Sequence, residues 1–219
     1  MSAESGISTF RDANGLWENY RVEDVATPEG FAANPQLVLD FYNQRRKELL
    51  GTQPNAGHLG LAELEKDFDV SIITQNIDNL HEKAGSSKVI HLHGELMKAC
   101  SVKDLETTYD ISPEQPEIHI GDKDPHGIQL RPFIVWFGEA VPMIEPAIRE
   151  VESCDLFVVI GTSLNVYPAA GLLNYVRRGQ PIYLIDPKEV KAYRNDIHFI
   201  RKGASEGVKE LKELLASQR

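Results

Sequence analysis

The sequence is poor in cysteine, in positive charge and in long apolar runs, and each shortage excludes a class of protein. Two cysteines, Cys100 and Cys154, cannot build a disulfide framework or a four-thiolate zinc site. The net charge is −10, whereas binding to nucleic acid requires a cationic face. No apolar run is long enough to span a membrane, and no charged-then-apolar leader opens the chain. We therefore expect a cytoplasmic protein with neither nucleic acid nor membrane as its partner.

Short β-rich runs alternate with helical patterns along the chain. The strand patterns cover residues 69–74, 88–94, 155–164, 181–186 and 198–203. The helical patterns cover residues 35–50, a segment to Leu64 that Asn55 would cap, and a last helix from Ser205. This alternation predicts an α/β fold with a doubly wound, Rossmann-like parallel sheet, within a single domain of residues 1–219. Residues 98–131 have weak periodicity, and we expect a small inserted module there.

Polar clusters follow three of the predicted strands, and doubly wound folds bind ligands beyond the C-terminal ends of their strands. The first cluster, TQNIDNLH, places four amide or acid side chains in five positions: Gln75, Asn76, Asp78 and Asn79. A plain turn needs one such residue, so the cluster could fix a polar ring or a sugar by hydrogen bonds. A helix N-cap at Asn76 or Asp78 is the competing explanation.

The second cluster, VIHLHGEL, contains two histidines. His91 and His93 are two apart on the predicted strand and would share one face. A metal pair with His81 has no acidic partner at ligand spacing to support it, and we expect His91 to be a hydrogen-bonded structural histidine. His93 precedes Gly94 at the strand tip, where a neutral imidazole could act as a general base. The spacing by itself leaves a structural role for His93 open.

The third cluster, GTSLN, follows the strand at 155–164. Gly161 permits close approach of the backbone, and Thr162 and Ser163 offer hydroxyls and amides to ribose or phosphate. Many strand-to-helix turns have this sequence, and it is not the full Gly-x-Gly-x-x-Gly fingerprint. Alone it is a weak signal.

Six stretches, in order, resemble the sirtuin family, the NAD-dependent protein lysine deacylases. They are SAESGISTFRDANGLW, TQNIDNLHEKAG, VIHLHGEL, RPFIVWFGE, GTSLNVYPAA and KGASEGV, and they cover nearly the whole chain. The resemblance implies NAD-dependent removal of acyl groups from protein lysines, giving nicotinamide and 2′-O-acyl-ADP-ribose. A monomer is expected.

The resemblance also implies site residues. The NAD-binding set is Ala3, Phe10, Arg11, Trp17, Gln75, Asn76, Ile77, Asp78, Gly161, Thr162, Ser163, Asp186 and Ala204. His93 matches the family's catalytic base, and Asn76 and Asp78 match residues at the nicotinamide end of the site that take part in catalysis. Val135, Phe137, Gly138 and Glu139 belong to a segment similar to the strand that pairs with the substrate backbone.

FYNQRR is similar to the Tyr-x-x-Arg pair of the bacterial branch that removes acidic acyl groups. Tyr42 and Arg45 are three apart on a predicted helix and share a face. A guanidinium with a phenol is a good receptor for the carboxylate of a succinyl or malonyl group. The alternative is a structural pair, with Arg45 extended along the surface and Tyr42 packing its ring. We favour the carboxylate receptor and expect acetyl-lysine to be accepted as well.

Two departures from the family stand out. The family's structural zinc is bound by four cysteines, of which only Cys100 stands in residues 98–131. His119, Asp122, Asp124 and His126 are better explained as an acidic loop than as a substitute site, so we expect no bound metal.

The second departure is at the start of the chain. Family members carry an apolar strand ending in Gly-Ala-Gly before the SAESGIS loop, and Met1 stands where those glycines end. Either the start is an internal methionine of a longer protein, or the sheet has a gap and NAD binding is weakened. We favour the first, because losing a central strand would exceed a domain's usual stability. The alternatives to a deacylase are a non-catalytic NAD or ADP-ribose-binding module and a mono-ADP-ribosyltransferase.

Overall fold

The computed structural model describes residues 1–8, 20–162, 164–192 and 194–217. Four residues of the predicted NAD-binding set, Phe10, Arg11, Trp17 and Ser163, lie outside these ranges. The helices are Val22–Val25 (α1), Pro28–Ala33 (α2), Pro35–Leu50 (α3), Ala56–Leu64 (α4), Leu80–Ala84 (α5), Ile144–Ser153 (α6) and Ala204–Ser217 (α7). Two 3₁₀ segments cover Ser2–Ser5 and Ala169–Tyr175. The strands are Ile72–Thr74 (β1), Val89–His91 (β2), Gly94–Ser101 (β3), Thr108–Asp110 (β4), Leu130–Ile134 (β5), Phe157–Ile160 (β6), Ile182–Ile185 (β7) and Ile197–Ile200 (β8).

The predicted helices are confirmed, and their caps explain where they begin. Asn34 accepts a hydrogen bond from the backbone N–H of Leu37 at 3.1 Å, and Pro35 follows it at the first position of α3. Asn55 accepts from Gly57 N at 2.9 Å and starts α4, while His58 Nδ1 accepts from Asn55 N at 3.2 Å. The reciprocal bonds form a capping box, with histidine in the place that Glu or Gln usually takes. No described helix is long and apolar enough to cross a membrane.

All five predicted parallel strands are present, which confirms the α/β fold. β1 pairs with β2, and β6, β7 and β8 form a second parallel sheet in that order. Among the described residues, no strand joins β1 to β6, and both strands line a cleft of about 470 Å³. Two parallel sheets with a cleft between them thus take the place of the single sheet that the alternation predicts.

Residues 98–131 lie mainly in and between strands of an antiparallel sheet with the order β4-β3-β5. This sheet rests on α3, since Leu39 of that helix packs with Ala99 and Ile118, and all three are buried. Buried Asn43 also accepts a hydrogen bond from Ile118 N at 2.9 Å and donates one to Ile118 O at 3.0 Å. The inserted segment is therefore attached to the helix that carries Tyr42 and Arg45.

The predicted strands are all longer than the observed ones. The strand predicted at 88–94 ends at His91, and a turn at Leu92 and His93 leads into β3, which begins at Gly94 with φ +84°. β5 ends at Ile134, and Phe137 and Gly138, within the segment similar to the family's substrate-pairing strand, form a turn. Glu139 N donates to Trp136 O at 3.0 Å, and the Glu139 carboxylate accepts from Trp136 N at 2.8 Å, which folds the chain back on itself.

Candidate functional site

The tips of β1 and β6 meet, as the sheet topology predicts. Gln75 Nε2 donates to Thr162 Oγ1 at 3.4 Å, across 87 residues of chain. Gln75, Asn76, Gly161 and Thr162 all line the cleft, whose inner wall is made of apolar strand residues. Gly161 has φ +61°, and a Cβ there would lie 2.8 Å from the amino nitrogen of Met1. The first residue of the chain therefore lies against the β6 tip.

The N-terminal segment connects three parts of the site. Asn76 Nδ2 donates to Ser2 Oγ at 2.8 Å, and Asn55 Nδ2 donates to Ser5 Oγ at 3.0 Å. The Glu4 carboxylate accepts from Ala204 N at 2.5 Å and from Ser205 N at 3.0 Å. A carboxylate at the N-terminus of α7 satisfies amide groups that the helix cannot pair internally.

We expect Glu4→Gln to lower the free energy of unfolding by about 0.5–2 kcal/mol at neutral pH, as loss of a helix cap does. Burial alone would raise the pKa of Glu4, but its bonds to Ser205 and Ala204 hold it below the ordinary value of 4.5. Because the folded-state pKa is the lower one, this contribution is present above pH 4.5 and is lost as the pH falls through the folded-state pKa.

Urea unfolding of Glu4→Gln and wild type across this pH range measures the effect. Glu206→Gln, at an exposed position in the first turn of the same helix, is the matched control and should cost less. Equal losses in the two variants would contradict the specific cap.

Asp78 and Ile77 each accept a hydrogen bond from a backbone N–H of the protein. Asp78 is 4% exposed, and its Oδ1 accepts from Leu80 N at 3.1 Å. The N-cap of α5 is Asn79, so Asp78 stands one residue before it and its bond to Leu80 N closes a local turn rather than the predicted cap. Ile77 is partly buried against the core, and its carbonyl accepts from Leu96 N at 2.8 Å.

His93 lies in the turn after β2 with one ring nitrogen in use. Its Nδ1 donates to the Gln75 carbonyl at 3.1 Å, so Nε2 is the basic nitrogen of the neutral ring. Burial lowers the pKa of His93 below its ordinary value of 6.5, and the bond to Gln75 opposes this only in part. A neutral imidazole at physiological pH is the form that a general base requires.

The side chains of Tyr42 and Arg45 differ in how many of their polar atoms have a hydrogen-bond partner. Tyr42 is 2% exposed, and its hydroxyl accepts from Trp136 Nε1 at 3.0 Å, which leaves the hydroxyl hydrogen available. Burial raises the pKa of Tyr42, so the phenol stays protonated. Arg45 Nη2 donates to Glu48 at 2.8 Å, but its Nε and Nη1 are buried without a hydrogen-bond partner among the described residues. Buried donors of a guanidinium without acceptors are costly.

The segment after β5 is fixed to the neighbourhood of His93. Val135 N donates to His93 O at 2.9 Å, and Phe137 N donates to Ala26 O at 3.0 Å. Glu139 is paired with buried Arg131 at 2.6 Å, so its carboxylate has a structural partner. Phe137 and Gly138 are exposed at the turn.

The other predicted cofactor residues are spread over three elements. Ala3 is exposed in the N-terminal segment, and Ala204 is buried at the start of α7. Asp186 follows β7, and its Oδ1 accepts from Lys188 N at 2.8 Å. In the described ranges, no three His, Cys, Asp or Glu residues are grouped to hold a metal ion.

Sequence reasoning missed the supporting contacts made by Ser2, Glu4 and Glu82. Glu4 lies 200 residues from Ala204, and no pattern in the sequence connects such a pair. Glu82 is part of the TQNIDNLHEKAG stretch, but nothing in that pattern indicates a role for it. Its carboxylate lies 2.7 Å from His91 Nε2.

The fold and site are those of an α/β nucleotide-binding protein, with amides, a carboxylate and an imidazole at the strand tips. Residues 1–168 match the Sir2 family, and the chain belongs to that family. It is 64% identical over 219 residues to the NAD-dependent protein deacylase of Bacteroides thetaiotaomicron, with 98% of this chain and 94% of the relative covered. The Helicobacter pylori (strain 26695) protein of the same name is 53% identical, with 88% and 83% covered.

Solved structures agree with this assignment. The crystal structure of a Sir2 homologue–NAD complex has a TM-score of 0.86 and 40% identity, covering 99% of this chain and 86% of that chain. A Sir2 homologue mutant with ADP-ribose has a TM-score of 0.87 and 40% identity, with 98% and 89% covered. Sir2 bound to an acetylated peptide has a TM-score of 0.79 and 29% identity, with 98% and 89% covered. The sirtuin resemblance drawn from the six stretches is confirmed.

Proposed function

We propose that this protein removes acyl groups from lysine side chains of proteins in an NAD-dependent reaction that yields nicotinamide and 2′-O-acyl-ADP-ribose. The observation that carries the proposal is the pairing of His93 with the Gln75 carbonyl, which leaves a neutral ring with a basic Nε2 beside the polar loop 75–78. The relatives named above are NAD-dependent protein deacylases, and they share most of their length with this chain.

The polar residues at the mouth of the cleft suit the two sugars and the phosphates of NAD. Gln75 and Asn76 present amide groups, Thr162 presents a hydroxyl, and Gly161 leaves the backbone open beside them. We propose that Gln75 and Asn76, with Asp78, hold the nicotinamide end of NAD and its ribose, and that Gly161 and Thr162 contact the phosphates and the adenosine ribose. When bound, NAD would supply a glycosidic bond that breaks with nicotinamide as the leaving group, and a ribose that accepts the acyl group. Ala3, Asp186 and Ala204 are proposed to contact the rest of the cofactor.

His93 is proposed to remove a proton from a ribose hydroxyl at its Nε2. Since Nδ1–H is fixed on the Gln75 carbonyl, the ring can accept a proton only at Nε2, and the Gln75 bond then stabilises the imidazolium. Asn76 and Asp78 are proposed to orient the reacting sugar and the nicotinamide amide. Their supports from Ser2, at 2.8 Å, and from Leu80 N, at 3.1 Å, limit their motion.

The acyl group is proposed to be acidic as well as acetyl. Arg45 carries two buried guanidinium nitrogens without a partner among the described residues, and Tyr42 retains a free hydroxyl hydrogen. A succinyl or malonyl carboxylate would accept from both groups in a site of low dielectric. The bonds of Val135 and Phe137 to His93 and Ala26 place the turn 135–139 beside the catalytic histidine, which supports its proposed contact with the substrate main chain.

A matched assay of acetyl-, malonyl- and succinyl-lysine peptides, each with and without NAD, tests the function. We expect all three peptides to be deacylated only when NAD is present, and nicotinamide to be released only when an acylated peptide is present. Nicotinamide release that is independent of the peptide would instead favour a different acceptor. Binding of NAD with no turnover of any peptide would contradict the deacylase.

We further propose that the protein acts as a monomer in the cytoplasm. Cys100 and Cys154 are both free, and burial raises the pKa of both thiols, which keeps them in the unreactive protonated form.

A further inference from the structure

The two histidines near the β2 tip have different hydrogen-bond partners. His93 bonds a single carbonyl, that of Gln75. His91, 8% exposed, lies between two acceptors: its Nδ1 is 3.3 Å from Asn76 O, and its Nε2 is 2.7 Å from Glu82 Oε1. A carbonyl and an ionised carboxylate can only accept, so both ring nitrogens must carry hydrogen for both bonds to form. Both bonds together thus require a doubly protonated His91 beside Glu82, whereas the single bond of His93 needs only a neutral ring.

The carbonyl that His91 contacts belongs to a residue fixed at three points. Asn76 N donates to Thr74 Oγ1 at 3.0 Å, and Asn76 Nδ2 donates to Ser2 Oγ at 2.8 Å. The bond from His91 supplies the third contact, on the carbonyl side. Glu82 is on α5, the helix that follows the polar loop. His91, at the end of β2, therefore contacts both the loop, at Asn76, and the helix, at Glu82.

We propose that His91 and Glu82 are a positioning pair for the loop 75–78: doubly protonated His91 holds the Asn76 carbonyl, and Glu82 keeps His91 in that form. Neither residue is assigned a contact with substrate. The pair acts through Asn76, and its consequence for catalysis rests on the proposed function. The imidazolium carries a positive charge beside a site where positive charge would develop on a sugar, and the Glu82 carboxylate neutralises it locally.

The charged and titratable groups around His91 come from two elements. Glu82 and His81 are on α5, and Glu95 is on β3, where it pairs with Lys98 at 2.8 Å. Burial would lower the pKa of His91, but the bond and charge of Glu82, together with Glu95, raise it above 6.5. The Asn76 carbonyl adds to this direction.

The first test needs no cofactor. Titration of the histidine ring signals by NMR on the full chain should give His91 a pKa above 6.5, with both nitrogens protonated at neutral pH. In Glu82→Gln, we expect the His91 pKa to fall by about one to three pH units, the effect of removing an opposite charge. A wild-type pKa at or below 6.5 would overturn the pair without any variant being made. A His91 pKa that is the same in Glu82→Gln would also overturn it.

The second test is the pH dependence of nicotinamide release with an acetyl-lysine peptide. As the pH rises and His91 loses its proton, kcat/KM for NAD should fall, which gives the pH profile an alkaline limb. Glu82→Gln should move this alkaline limb to lower pH. The acid limb, set by His93, should stay in place. We expect KM for NAD to rise about tenfold at neutral pH, with a smaller change in kcat, and Glu82→Asp to recover part of the loss.

Glu63→Gln is the matched control, because it removes a helical carboxylate that pairs with Lys212, away from the loop, and should leave the profile unchanged. A profile in Glu82→Gln that matches wild type would overturn the positioning role. If the wild type released no nicotinamide at all, the proposed function would fail, while the NMR titration would still decide whether the pair exists.

Discussion

Replacing His93 by alanine is expected to lower acyl-lysine removal by about 10²- to 10⁴-fold, the usual contribution of a general base. The expectation follows from the geometry of the ring. Nδ1 donates to Gln75 O at 3.1 Å, and burial keeps the ring neutral, so that Nε2 is ready to accept a proton. Alanine provides no basic atom, and water in the vacated space is a far weaker base. Steady-state kinetics with an acetyl-lysine peptide measure the loss.

The kinetic pattern should identify the chemical step. Since His93 is proposed to accept a proton only during the reaction, kcat should fall far more than KM for NAD rises. His126→Ala, which removes an exposed histidine from a surface loop, is the control and should retain full activity. Full activity in His93→Ala would show that His93 is not the general base. A rise in KM alone would reassign His93 to binding.

Arg45→Met is expected to reduce desuccinylation by about 10- to 100-fold while changing deacetylation by less than about threefold. Hydrogen bonds to a charged group contribute about 1.5–3 kcal/mol, and each 1.4 kcal/mol is about a factor of ten. Methionine keeps the apolar stem of the side chain and removes the guanidinium. Only a substrate that carries its own carboxylate loses a partner by this change.

Glu48→Gln is the control for the loss of the Arg45–Glu48 ion pair that Arg45→Met also causes. Glu48 is the partner of Arg45 at 2.8 Å, so a purely structural Arg45 would be affected by its loss. We expect Glu48→Gln to leave the ratio of desuccinylation to deacetylation close to wild type. Equal loss of both activities in Arg45→Met would contradict the carboxylate-receptor role. It would favour the structural alternative, in which Arg45 extends along the helix surface.

Local signals in the sequence were sufficient for the elements that carry the site. Pro35 after Asn34, and Asn55 before Ala56, define where α3 and α4 begin, because side-chain caps depend on neighbours within three residues. The continuous apolar run at Phe157–Ile160 predicts β6 for a similar reason, since a strand covered on both faces must be apolar throughout. The general position of the polar loops then follows from the topology of parallel strands.

The contacts that hold the site residues in position could not be predicted from local signals. The pairs Ser2–Asn76 and Glu4–Ala204 join residues that are 74 and 200 positions apart, and only the folded chain brings them together. The turn within residues 135–139 depends on Glu139, which bonds back to Arg131 and Trp136, and strand propensity gives no sign of this buried ion pair. His91 was expected to be hydrogen-bonded, but its charge depends on Glu82, which lies on another element.

The fate of the acyl group is the most direct test of the account. Mass spectrometry of a complete reaction with an acetyl-lysine peptide should find one acetylated ADP-ribose for each nicotinamide and each free lysine. Recovery of the acyl group as free acetate, with NAD unchanged, would contradict the central claim that the protein transfers the acyl group to the sugar of its cosubstrate.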